Sequence, residues 1–300
     1  MGLNEDEYFA SGHRACAGCA EALAIRHILK AAGKNTIVAH ATGCMEVVST
    51  PYPETAWKLP WVHAAFQNVS AVASGVREAL NAKGQMDTNV IAFGGDGASF
   101  DIGFASLSGA LERGHKFLYV ATDNEAYMNT GIQRSGATFP YANTTTSPAG
   151  KVIHGKENPK KPLPFIVAAH GIEYVASTSV TNLFDLKTKV EKALKVNGPS
   201  FIHVMVSCVP GWKIEPSQSI EILRKSIECG IFVPYEIEKG ILKLNQPLKE
   251  RKPVDDYLKS QGRFKHVTPQ DIQKIQAYVD ERYNFLIENN GKKLFDNLYR

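Results

Sequence analysis

Four of the chain's five cysteines fall into a pattern. Cys16 and Cys19 are two residues apart in "HRACAGCA", Cys44 follows after another 24, and Cys208 comes late in "HVMVSCVPGW". Thiolates bind soft and borderline metals, so the spacing asks for a metal centre or a redox pair. A zinc ribbon usually supplies a second C-x-x-C, which this chain lacks. A redox dithiol uses two cysteines and leaves Cys44 and Cys208 without a part. Four thiolates also suit a [4Fe–4S] cluster, and spacing alone leaves zinc and cluster both open. Cys229, in "SIECGIF", stands outside the pattern and reads as a small buried apolar residue.

A second constellation is "FGGDGASFD", residues 93–101, where an apolar run leads into a helical pattern. Helix starts bind phosphates because their free N–H groups point at the anion. The dinucleotide fingerprint fails here, since Phe100 stands where its third glycine belongs, and no G-x-x-x-x-G-K-[ST] occurs. What remains is Asp96 between Gly95 and Gly97 at a strand end. Asn124, in "TDNEAYMNTG", ends the next strand 28 positions later. An Asp and an Asn at neighbouring tips offer the hard oxygen ligands of Mg²⁺, an ion often shared with phosphate. An isolated G-D-G is more often a tight turn; the second tip changes the reading.

These residues need elements to hold them. Residues 35–42, 89–95, 116–122, 173–178 and 200–207 read as strands, apolar without alternation, as strands buried on both faces are. Helical periodicity covers 102–113 (with Asp101 as N-cap), 183–196 and 217–229. The alternation predicts an α/β fold, a mostly parallel sheet with helices on both faces. Cys44, Asp96, Asn124 and Cys208 all follow strands, so they should share the sheet edge where open α/β folds bind ligands. Residues 1–235 form this domain. Residues 236–300 read as a C-terminal arm, polar and broken by Pro and Gly. The arm ends in a helix opened by Thr268 and Pro269, with Ile272, Ile275, Val279 and Leu286 on one stripe.

Composition fits a globular protein: 44% apolar and 21% charged residues can bury a core. The net charge of +4 is spread through solvated runs such as "GKENPKKP" and "KERK", which argues against a nucleic-acid partner. No run approaches a membrane span and no basic-then-apolar leader opens the chain, so the expected location is cytoplasmic. Reducing conditions there favour metal or catalytic thiols over disulfides.

G-D-G followed at that distance by Asn is the pattern of thiamine diphosphate enzymes. Residues 94–140 resemble the diphosphate-binding segment of pyruvate:ferredoxin oxidoreductases, members of the 2-oxoacid:ferredoxin oxidoreductase family. The cysteine spacing, with its third member in an "ATGC" turn, resembles the proximal-cluster ligands of the same family. The resemblance runs from about Gly12 to Pro210, roughly two thirds of the chain, and departs at Ala20, where many relatives have Gly.

It implies a thiamine diphosphate-binding fold and three cofactors: thiamine diphosphate, Mg²⁺ and a [4Fe–4S] cluster. Cys16, Cys19, Cys44 and Cys208 would hold the cluster. Asp96, the Asn124 side chain and the Ala126 carbonyl would ligate Mg²⁺. Gly95, Gly97, Thr42 and Gly43 would border the cofactor, with Asn129 and Thr130 against diphosphate and thiazolium and Asn129 in a catalytic role. Tyr127 and Met128 read as core packing.

The implied activity is that of a β subunit: pyruvate, coenzyme A and oxidised ferredoxin give acetyl-CoA, CO₂ and reduced ferredoxin. A branched-chain 2-oxo acid, 2-oxoglutarate or oxalate is the alternative substrate. Partners are implied by what the chain lacks. It has no pyrimidine-binding domain, which calls for an α subunit carrying the activating Glu. It has no C-x₂-C-x₂-C-x₃-C-P run, which calls for a ferredoxin-like δ subunit beside γ, and then ferredoxin. A non-catalytic iron–sulfur electron-transfer subunit and a structural zinc protein are the competing readings.

Overall fold

The structure, a computed structural model, describes residues 6–295. Residues 1–5, the start of the stretch where a leader would lie, are outside the described residues. The strands are β1 (Thr36–Ala41), β2 (Trp61–Ala64), β3 (Asn89–Gly95), β4 (Leu118–Asp123), β5 (Tyr174–Ser179), β6 (Ser200–Met205), β7 (Tyr235–Glu238) and β8 (Ile241–Leu244). They form one sheet in the order β2-β1-β3-β4-β6-β5-β7-β8. The first six in that order are parallel, and β7 and β8 join antiparallel beside β5.

The helices are α1 (Ala20–Ala32), α2 (Cys44–Ser49), α3 (Val69–Ala82), α4 (Phe104–Glu112), α5 (Leu163–Ala168), α6 (Leu183–Lys195), α7 (Val209–Trp212), α8 (Ser219–Glu228), α9 (Asp255–Lys259) and α10 (Pro269–Glu288). Val38, Ile91, Val120 and Ile202 pack with residues of α1, α6 and α8 in one core. Their strand neighbours Ala39, Ala92, Tyr119 and Phe201 pack with α3, α4 and α5 in the other. Two covered faces explain why the strands read as unbroken apolar runs. Each fully buried Ile or Leu in these layers contributes about 1.5–3 kcal/mol relative to exposure.

The sheet order positions the site. Strands β1, β3, β4 and β6 are consecutive neighbours, and Cys44, Asp96, Asn124 and Cys208 each follow one of them. Because these strands are parallel, all four tips fall side by side on one edge, as the sequence predicts.

Local differences have local causes. Asp101 does not cap α4. Residues Gly97–Asp101 form a π-helical turn, and Gly103 precedes α4. The Asp101 carboxylate instead accepts the Gly136 N–H at 2.8 Å and pairs with Lys161 at 2.9 Å, tying β3's tip to a later loop. Asn182 does cap α6, accepting the Asp185 N–H at 3.0 Å. Thr268 and Asp271 form a reciprocal capping box on α10, whose buried stripe is Ile275, Val279, Tyr283 and Leu286.

Residue 235, where the sequence divides, begins β7, so the arm's first residues continue the sheet. Lys239 and Gly240, both at positive φ, close the β7–β8 hairpin. Among the described residues, no helix is long and apolar enough to cross a membrane.

Candidate cofactor and metal site

Three of the four thiols sit where a strand or turn hands over to a helix. Cys19 precedes α1, Cys44 opens α2 and Cys208 precedes α7. The Cys16–Cys19 turn closes with a Cys19 N–H to Cys16 O bond of 3.0 Å. Gly18 is required in that turn: its φ is +77°, and a Cβ there would stand 2.6 Å from the Pro216 carbonyl oxygen.

The four thiols share one electrostatic neighbourhood. Burial pushes Cys19 up to about 11, Cys208 up to about 12 and Cys44 higher still. Cys44 also feels Cys208 and Cys19, and Cys208 feels Cys19 and Cys16. Cys229 lies apart in the core, its Sγ 3.6 Å from Ser226 O. Among the described residues, no three His, Cys, Asp or Glu side chains converge closely enough to chelate a single ion.

The tips of β3 and β4 bring three oxygen-bearing groups together. One terminal atom of the Asn124 amide stands 2.8 Å from the Ala126 carbonyl oxygen and 3.2 Å from Asp96 Oδ1. With nitrogen in that place it donates to both. With oxygen there, three acceptors meet, an arrangement that a cation among them would stabilise. A carboxylate, an amide and a carbonyl are the hard oxygen donors that Mg²⁺ would take. The other Asp96 oxygen accepts the Ser135 O–H at 2.5 Å. Burial raises the Asp96 carboxyl well above the usual range, and the Asp123 charge raises it further. A cation at the oxygens would offset both. The residues present therefore fit a hard divalent ion.

The nine residues expected to border the cofactor line one cleft together with Cys44. Gly95 and Gly43 turn bare backbone into it: at Gly95 a Cβ would meet nothing within 4 Å, and at Gly43 only Ala41 O at 3.9 Å. Side chains there would occupy ligand space. Gly97 is needed for a different reason, because a Cβ would stand 2.1 Å from the Tyr127 ring. Asn129 and Thr130 are exposed in a loop closed by Tyr127 and Gln133, which bond to each other's backbone at 2.9 and 3.2 Å.

Sequence reasoning missed five members of this cleft, Phe66 among them. Glu21, buried, accepts the Thr122 O–H at 2.7 Å; burial raises it to about 7. His40 donates from Nδ1 to Ala41 O at 2.8 Å, and burial drops it to about 4, so it is neutral at physiological pH. Tyr127 and Met128, expected in the core, are partly exposed and line the cleft. Met128 also packs on the core. Their position just after Asn124 is the signal that could have found them.

Below the oxygens lies a buried ionic network. Asp123 Oδ2 stands 2.5 Å from Lys160 Nζ and 2.7 Å from His203 Nε2. Against the cost of burial, these partners hold Asp123 at about 2. Lys160 also reaches Glu125 Oε1 at 2.9 Å, and Arg263 Nη2 lies 2.8 Å from Glu125 Oε2, off the hydrogen-bond axis. Glu125 has a φ of +71°. That left-handed conformation costs an L-residue about 1–2 kcal/mol and persists only where its surroundings dictate it.

Residues 41–204 match the family described as thiamine pyrophosphate enzyme, C-terminal TPP binding domain. With the fold and the strand-end site, this defines a thiamine diphosphate-dependent enzyme. Similar proteins narrow the class. The chain is 52% identical to pyruvate synthase subunit PorB of Methanocaldococcus jannaschii, over 95% of this chain and 98% of that protein. It is 45% identical to the PorB of Pyrococcus furiosus, over 93% of each. It is 43% identical to ketoisovalerate oxidoreductase subunit VorB of the same organism, over 94% and 93%.

A solved 2-oxoglutarate:ferredoxin oxidoreductase from Magnetococcus marinus superposes with a TM-score of 0.57 at 20% identity, covering 92% of this chain and 89% of that one. At that identity the likeness is one of fold. The chain belongs to the 2-oxoacid:ferredoxin oxidoreductase family, as a β-type subunit.

Proposed function

We propose that this chain is the β subunit of a cytoplasmic pyruvate:ferredoxin oxidoreductase. The complex converts pyruvate, coenzyme A and oxidised ferredoxin to acetyl-CoA, CO₂ and reduced ferredoxin. The observation that carries the reading is the sheet edge: Asp96, the Asn124 amide and the Ala126 carbonyl meet at the tips of β3 and β4, flanked by thiols at the tips of β1 and β6. Asp96, Asn124 and the Ala126 carbonyl hold Mg²⁺, which anchors the diphosphate. Cys16, Cys19, Cys44 and Cys208 hold a [4Fe–4S] cluster. Such a cluster takes one thiolate per iron, so its ligands need not converge on one point.

Thiamine diphosphate, when bound, supplies the chemistry for cleaving the bond beside a 2-oxo group, and the cluster supplies one-electron redox capacity. The chain's own residues orient and insulate. Gly95 and Gly43 leave room for close approach, and Asn129 and Thr130 close the cleft against diphosphate and thiazolium, with Asn129 as the catalytic member. An α subunit brings the pyrimidine-binding domain and its Glu. The γ and ferredoxin-like δ subunits complete the complex and pass electrons to ferredoxin.

Relatives named pyruvate synthase support pyruvate as substrate. The VorB relative keeps a branched-chain 2-oxo acid as the second reading. The test is kcat/KM of the anaerobically purified complex on pyruvate, a branched-chain 2-oxo acid, 2-oxoglutarate and oxalate, each with coenzyme A. Pyruvate is expected to lead by about tenfold or more, the scale on which pockets discriminate added methylenes. Preference for another acid would overturn the substrate assignment.

A further inference from the structure

We infer that Arg263, carried by the C-terminal extension, positions the cation-binding loop Asp123–Ala126 through Glu125 and Trp212. The inference rests on the Mg²⁺ site proposed above and extends it to a region that carries none of its ligands.

The Asn124 amide and the Ala126 carbonyl approach to 2.8 Å across the chain reversal at Glu125, which is in its left-handed conformation. The backbone groups of Glu125 and its Oε1 are hydrogen-bonded, and its Oε2 meets only the charge of Arg263. The Glu125 N–H donates to Asp123 Oδ1 at 2.9 Å, and its carbonyl accepts the Thr138 O–H at 2.6 Å. Its carboxylate is clamped between Lys160 at 2.9 Å and Arg263 at 2.8 Å. The Asn124 carbonyl is fixed separately by the indole N–H of Trp212 at 2.8 Å.

Arg263 joins these two restraints. Its guanidinium lies 4.1 Å above the Trp212 ring while pairing with Glu125, and the residue is only 2% exposed. Gln261 Oε1 accepts from its Nε at 2.8 Å and holds the fork in place. Trp212 also bonds through its backbone N–H to Cys208 O at 2.9 Å, so the same residue abuts the fourth thiol.

A buried ion pair is weak evidence for stability, because apolar replacements often do as well. Its placement under a strained metal loop gives it a different role. Residues that orient metal ligands typically change metal affinity 10–100-fold when altered.

The test uses the assembled complex and measures thiamine diphosphate retained in equilibrium dialysis across an Mg²⁺ titration. Arg263→Lys keeps the charge and loses the planar fork and the stacking. Trp212→Phe keeps an aromatic face beside the guanidinium, removes the indole N–H together with part of the ring, and serves if the first variant fails to fold. In either, the Mg²⁺ concentration for half-maximal retention should rise about tenfold. Turnover should recover at saturating Mg²⁺, and iron content and visible absorption should match wild type.

Wild-type Mg²⁺ dependence in a folded variant overturns the inference, as does a turnover defect that saturating Mg²⁺ does not correct. Asp96→Ala separates the two levels. If it too binds the cofactor normally, the Mg²⁺ site itself is refuted and the positioning inference falls with it.

Discussion

Asp96→Ala is expected to lower thiamine diphosphate affinity by at least about 100-fold and to abolish its Mg²⁺ dependence. Asp96 is the one carboxylate among the three groups that meet at the proposed cation position, the others being an amide and a carbonyl. Two neutral oxygens hold a divalent ion poorly, and without the ion the diphosphate faces uncompensated negative charge. Asp96→Asn keeps an oxygen in place and should fall between wild type and alanine. The visible absorption should survive both substitutions, because the thiols belong to other elements. Equilibrium dialysis with and without Mg²⁺ measures the first effect, and the spectrum checks the second. Undiminished cofactor affinity in the alanine variant would refute the site.

Serine at Cys16, Cys19, Cys44 or Cys208 should remove most of the iron and sulfide from the purified chain and abolish electron transfer to ferredoxin. Burial keeps Cys19, Cys44 and Cys208 protonated in the absence of metal, and ligation must displace those protons. A serine hydroxyl is a much weaker acid and a harder ligand, so it substitutes poorly on iron. Cys229→Ala should retain iron, spectrum and activity, since that thiol sits in the core and bonds only Ser226 O. Iron analysis and turnover across the five variants decide the matter. A dispensable Cys208 beside an essential Cys229 would overturn the ligand set.

The sequence makes the site edge legible because each functional tip interrupts an apolar run with a residue that a core would not choose. "FGGD", "TDNE", "ATGC" and "VSCVPG" all mark strand ends, and parallel strands carry those ends to one edge. Partners contributed from far along the chain were not legible. Nothing local ties Arg263 to Glu125 or Thr122 to Glu21; only the folded sheet brings them together. β2 escaped because it is four residues long and begins on Trp61 just after a proline. The β7–β8 hairpin did offer a signal, alternating "YEIE" and "ILKL" around Lys239-Gly240, but the polar stretch that follows obscured it. Asp101 shows the converse. Its type and position fit a cap, and a tertiary pull from Gly136 and Lys161 won instead.

On the function proposed above, this chain supplies the diphosphate and cluster half of an active site whose other half lies on a partner. The most direct measurement is 2-oxo acid decarboxylation with an artificial electron acceptor. It is made on the isolated chain reconstituted with iron, sulfide, Mg²⁺ and thiamine diphosphate, and then after adding the α-type subunit. Activating the cofactor needs a carboxyl group bonded to its aminopyrimidine, a proton-transfer role that contributes about 10²–10⁴-fold. Turnover of the isolated chain is expected at or below about a thousandth of that of the complex, restored when the α-type subunit is added. Turnover by the isolated chain equal to that of the complex would contradict that proposal.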